Sequence, residues 1–182
     1  MTLSSLLIGI LIIFSLGAVA YLLTRKSVKT AAVRWTILVV LLTLAWTLSN
    51  YFILRTNTTL GGILNSIAFT TGLLALYSLY MLSQYYPIKN QNFHFERIKY
   101  YHIAAVSFAA ISALPAITGK VLLDENNQLY FTYPPLITVY VLVAFFIVIA
   151  TAIRFGQVAH QTKGAVRAQA IILMIGLSLV AI

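Results

Sequence analysis

Residues able to do chemistry are few in this chain, and they stand far apart. Its three histidines, His94, His102 and His160, are well separated in sequence, and a metal site needs three or four convergent donors. There is no cysteine, so disulfides, thiolate metal sites and cysteine nucleophiles are excluded. The sequence holds no Gly-rich phosphate loop, no HExxH and no nucleophile elbow. The expectation is a chain that is not itself an enzyme, with no metal and no cofactor.

The remaining polar groups are hydroxyls, amides and phenols set at helical spacing inside apolar runs. Thr36, Thr43, Thr47 and Asn50 fall on one stripe with Trp46 beside them, and Ser66, Thr70, Tyr77, Tyr80 and Gln84 share a second. Ala105, Ala109, Ser112 and Ala116 make a third stripe of small residues. Such groups bond and pack across helices in a membrane bundle, so interhelical contact is one reading. A ligand pocket is the other. Asn50, Tyr51 and Asn65 would then lie at shallow depth under an external hairpin and hold a small amphipathic molecule, with Trp46, Thr70 and Tyr77 deeper along the same faces. Tyr51, Tyr130 and Tyr133 are equally expected as an interfacial aromatic belt.

The elements that must position these residues follow from composition. Of 182 residues 61% are hydrophobic and 8% charged, where ordinary soluble domains have about 45–50% and about 25%. A hydrocarbon layer about 30 Å thick takes roughly 20 helical residues. Six apolar runs have that scale: 3–23, 32–54, 60–85, 100–118, 135–153 and 165–182. None contains Asp, Glu or Lys, and Arg34 and Arg167 sit within a turn of a span's start. Between the fourth and fifth runs, residues 119–134 read as two short strands, Val121–Leu123 and Leu129–Tyr133, around the turn formers Asp124, Asn126 and Asn127. The expected fold is an all-α integral membrane protein, a bundle of six transmembrane helices with a small extracellular β-hairpin. It forms one domain over residues 1–182.

Charge sets the direction. The net charge of +9 sits in short connectors rather than over a polar surface, which points to headgroups and orientation and away from nucleic acid. Loops one, three and five, with adjoining span ends, hold ten of the twelve Lys and Arg residues: Arg25, Lys26, Lys29, Arg34, Lys89, Arg97, Lys99, Arg154, Lys163 and Arg167. Loops two and four hold Arg55 and Lys120. Positive charge stays on the cytoplasmic side, so the N-terminus is expected outside a bacterial inner membrane. Ala18-Val19-Ala20 has the form of a signal-peptide cleavage site, but no basic residue precedes the run, and the expectation is a retained, reversed anchor. The span interiors lack an ionisable partner for a coupled ion, which weakens a transporter reading and leaves a neutral-solute carrier or channel open. Pro115 is the one break of the kind that marks a discontinuous helix, and a plain kink explains it as well.

Several short features lie in a suggestive order. They are Thr24-Arg25-Lys26 after span one, Ala45-Trp46 in span two, Tyr85-Tyr86-Pro87 closing span three, the hairpin before span five, and Arg167-Ala168-Gln169 followed by Gly176 in span six. In this order the chain resembles the seven-helix membrane region at the N-terminus of many bacterial histidine kinases and related signalling proteins. The resemblance covers most of the chain. It implies a sensor input domain of a two-component system, signalling by shifts in helix packing, with a seventh helix leading to cytoplasmic output domains. The last run stops at Ile182 with no aromatic or basic anchor, which fits a longer parent and leaves helix seven and any kinase or cyclase domain outside this sequence. No catalytic residue carries over. The alternatives are a structural or accessory subunit of a larger membrane complex and the neutral-solute carrier. Expected partners are the lipid bilayer, a small amphipathic ligand, and a homodimer or complex partner.

Overall fold

The computed structural model describes residues 3–24, 30–53, 55–86, 95–123 and 129–180, without side chains at 3–5, 95–99, 129 and 177–180. Among the described residues, seven helices and two strands follow in chain order: α1 (Leu3–Thr24), α2 (Ala31–Ile53), α3 (Thr58–Gln84), α4 (Phe95–Ser112), α5 (Pro115–Thr118), β1 (Lys120–Leu123), β2 (Leu129–Thr132), α6 (Ile137–Gln161) and α7 (Gly164–Val180). Arg25, Lys26, Lys29, Lys89, Pro87, Asp124, Asn126, Asn127 and Ile182 lie outside the described residues. So does most of the polar connector after span three.

Four helices, α1, α2, α3 and α6, are long and apolar enough to cross a membrane. The apolar stretches Tyr100–Ser112 in α4 and Gly164–Gly176 in α7 are shorter. Large apolar side chains face outward over the helical surface, with Phe14 74%, Phe146 68% and Ile172 67% exposed. Small and polar residues face inward. On α3 the buried set includes Gly61, Asn65, Ala68, Ala75, Ser78 and Ser83. This inversion is what a helix bundle in hydrocarbon requires, since lipid solvates Leu and Phe while close backbone approach needs small residues.

α3 is the hub. It packs most extensively on α2, and also on α4, α5, α6 and β1. The outer positions are lightly held: α1 packs extensively only on α2, and α7 only on α6. The tightest apolar cluster, Phe155, Val158 and Ala170 with Leu79, Tyr86 and Leu173 around it, joins α3, α6 and α7 at the end of α3 where its C-terminus lies.

Local chemistry explains where elements start and stop. Asn57 caps α3, its side-chain oxygen accepting from the Leu60 amide at 2.9 Å. The expected fourth span, 100–118, is two elements. Pro115 has no amide to continue α4, so the helix ends at Ser112 and a separate turn, α5, begins with proline in its first turn. Upstream, α4 begins at Phe95 rather than Tyr100. The expected fifth span, 135–153, corresponds to α6, which runs on past Ile153 to Gln161 and carries Arg154 inside it. The strands pair antiparallel in the register Lys120 to Thr132, Val121 to Phe131, Leu122 to Tyr130 and Leu123 to Leu129. Gly119 enters this pair at φ 74°, where a Cβ would overlap the Thr132 carbonyl oxygen, so only glycine fits. Val121 is buried, and its Cγ1 lies 3.5 Å from the Cβ position of Gly61, which seats the strand pair on the first turn of α3.

Candidate functional site

The outer-end pocket expected from Asn50, Tyr51 and Asn65 is not assembled as such. Asn65 is buried, and its Nδ2 donates to the Thr118 carbonyl at 2.9 Å, tying α3 to α5. Asn50 is exposed and donates to the Trp46 carbonyl one turn back on its own helix. Tyr51 faces the Arg55 guanidinium, whose carbon sits 3.8 Å from the ring centroid, a cation–π contact at the helix end. A shallow recess of about 510 Å³ does lie beside β1, lined by Thr59, Gly62, Ser66, Pro115 and Val121, with none of the three residues in its wall.

The α3 stripe faces α4. Thr70 donates to Ser66 within its helix and reaches the Ala109 carbonyl across the interface at 3.3 Å. Tyr77, two turns further along, is buried, and its hydroxyl lies 2.6 Å from His102 Nδ1. Trp35 of α2 stacks on the His102 ring, with centroids 5.6 Å apart and planes 15° apart, and meets Tyr77 edge-on at 6.3 Å. One imidazole thus joins α2, α3 and α4. Sequence placed Tyr77 on a helical stripe but named His102 only as one of three well-separated histidines. The available signal was its position one stripe-length from Ala105 and Ala109, and nothing in a single helix reports which tyrosine faces it across an interface.

Arg154 was assigned to a loop and instead lies buried within α6, its Nε donating to the Ser83 carbonyl at 3.4 Å. Ser83 belongs to the last turn of α3, where carbonyls lack helical partners and the dipole is negative. A guanidinium there serves as a C-terminal cap reaching from the neighbouring helix.

A cavity of about 490 Å³ lies between four helices. Its walls are Thr43 and Trp46 of α2, Gly72 and Ala75 of α3, Tyr140 of α6, and Leu173 and Gly176 of α7. Gly72 makes it possible, because a Cβ there would stand 3.2 Å from Trp46 Cδ1 and Nε1 and 3.5 Å from the Tyr140 hydroxyl. The Tyr140 hydroxyl donates to the Phe69 carbonyl at 3.0 Å, fixing the ring against α3. α2 and α7 face each other across the space without packing together extensively. Of the family-like residues, Gly176 lines the cavity, while Arg167 and Gln169 are exposed on the first turns of α7. A second groove of about 300 Å³ separates α4 from α6 over Tyr77 and Tyr80. Among the described residues no three His, Asp or Glu side chains converge as a metal site.

Trp46, Thr70 and Tyr77 therefore divide between two places. Trp46 is in the four-helix cavity, and Thr70 and Tyr77 hold the α3–α4 interface. Thr43, seen from sequence as part of the α2 stripe, and Gly72, Tyr140 and Leu173, which sequence did not single out, complete the cavity. No family model, curated protein or solved structure matches the chain.

Proposed function

We propose that this chain is a membrane-embedded sensor of the histidine-kinase input type, in which a ligand in the four-helix cavity selects between two packings of α7. In this reading all six apolar segments cross a bacterial inner membrane, the N-terminus and the strand pair lie outside, and the basic connectors lie in the cytoplasm. The observation that carries it is the construction of the cavity. α7 supplies one wall through Leu173 and Gly176, yet it packs extensively only on α6. A molecule filling the space touches α2, α3, α6 and α7 at once, so its binding energy depends on where α7 sits. That differential is what a population shift requires. To turn a 1:99 mixture into 99:1, the ligand must prefer one packing by about 5.5 kcal/mol, and smaller preferences give graded responses.

The absence of native cysteine makes the test direct. Leu41 of α2 and Ile175 of α7 are both exposed on the helical surface. Spin labels on Leu41→Cys and Ile175→Cys in lipid nanodiscs should give a distance distribution with two populations, whose ratio changes when long-chain amphiphiles are added. One fixed distance under every amphiphile and bilayer thickness tried removes the sensor reading.

A further inference from the structure

Two polar groups in the cavity wall have no hydrogen-bond partner among the described residues. Thr36, Thr47, Thr70, Thr71 and Thr151 each donate to the carbonyl four residues back, at 2.7–2.9 Å, which is how a hydroxyl is ordinarily satisfied in an apolar helix. The Thr43 hydroxyl makes no such bond, and the Trp46 indole N–H has no acceptor among the described residues. They stand three residues apart on one face of α2, and both line the cavity. Across from them the Tyr140 oxygen, its proton committed to Phe69, keeps lone pairs free to accept. At this end the space therefore offers an indole donor, a hydroxyl that does either, and a phenol acceptor.

The other end is apolar. Leu79 lies seven residues beyond Gly72 on α3, about 10 Å along the helix, and with Leu76, Leu173 and Val39 it offers no hydrogen bond. No charged side chain lines the cavity. A carboxylate, ammonium or phosphodiester would be desolvated there without a counterion, at a cost its few contacts could not offset. The volume falls in the range of small-molecule sites, roughly 300–1,000 Å³.

We propose that the cavity binds an uncharged, single-chain amphiphile taken from the bilayer, with a hydroxyl or carbonyl head among Thr43, Trp46 and Tyr140 and its chain running toward Leu79 and Leu173. The assignment rests on reading this cavity as the sensor's ligand site, and it names the chemistry of that ligand. A hydroxyl head accepts from the Trp46 indole and the Thr43 hydroxyl through its two lone pairs and donates its own proton to the Tyr140 oxygen. A carbonyl accepts from Trp46 and Thr43.

The probe is dodecanol carrying a diazirine near the end of its chain, added to the full chain in phosphatidylcholine nanodiscs, with the matching ionised dodecanoate as its charged counterpart. Photolysis should label α3 and α7 around Leu79 and Leu173, saturably and in competition with plain dodecanol. The double variant Thr43→Val, Trp46→Phe should raise the half-saturating concentration about tenfold, the loss expected for two ordinary hydrogen bonds. Thr43→Ser should restore most of the Thr43 share, and Thr47→Val, one turn along and outside the wall, should leave it unchanged. Equal saturable labelling by dodecanoate overturns the uncharged assignment. Labelling that rises linearly with probe and ignores the double variant overturns the site. The sensor reading fails separately, by saturable dodecanol labelling with no change in the Leu41–Ile175 distance. A distance change driven only by dodecanoate leaves the sensor and removes the neutral ligand.

Discussion

At the scale of single residues, the side chains that matter most are those joining helices whose partners the sequence could not name. Tyr77 and His102 sit on different helices 25 positions apart, and their contact at 2.6 Å is one of the few polar links between α3 and α4. Tyr77→Phe and His102→Phe should each destabilise the bundle by about 1 kcal/mol, the scale measured for hydrogen bonds between membrane helices. Because the two share one bond, the double variant should cost clearly less than the sum. Reversible unfolding in mixed micelles supplies this cycle, and strict additivity would mean that the pair is in contact without coupling. Arg154 makes the complementary point. A charge beside an apolar run was read as the end of that run, because a cation in hydrocarbon is costly. The helix goes on because the guanidinium meets a buried carbonyl in the last turn of α3.

At the scale of elements, the four long helices α1, α2, α3 and α6 were legible as apolar runs, while the break at Pro115, the reach of α6 and the choice of partners were not. The thickness of a hydrocarbon layer dictates about 20 residues per span, so apolar runs announce themselves whatever they pack against. The same uniformity hides the pairing, since nearly every face of every helix is apolar and only small residues mark the contact sides. Proline could be seen but not weighed. At Pro115 it separates α5 from α4, which puts the Thr118 carbonyl where Asn65 binds it. The strand pair depends on the next residue, Gly119. Gly119→Ala should cost at least about 1–3 kcal/mol from left-handed backbone alone, with the Thr132 clash added. Hydrogen exchange should report it as lost protection at Val121 and Phe131 while the α2 and α6 amides stay protected. Unchanged strand protection would show that the turn rearranges at no cost.

At the scale of the whole molecule, the cavity is a property of assembly. Its walls come from residues 39 to 176, and no window of sequence contains enough of them to be recognised. Trp46 was legible because an indole amid aliphatic residues stands out. Gly72 was not, because only the approach of Trp46 and Tyr140 gives its missing Cβ a meaning. The proposed orientation has its own check at this scale. Lys120 and Gln161 are exposed near opposite ends of the bundle. In spheroplasts, Lys120→Cys should react with an impermeant maleimide directly, and Gln161→Cys only after permeabilisation. The reverse pattern inverts the topology and places the basic connectors outside.

The uneven attachment of α7 has a mechanical consequence. Ala170 is fully buried in the cluster with Phe155 and Val158, while Ile175 and Gly176 are exposed. In the proposed shift between packings, α7 pivots about its buried contact near Ala170. Gly176, at the cavity, stands about 9 Å from that point and Val180 about 15 Å, at 1.5 Å per residue. A sideways push at the cavity emerges at Val180 magnified by roughly two-thirds, a ratio fixed by helix geometry alone.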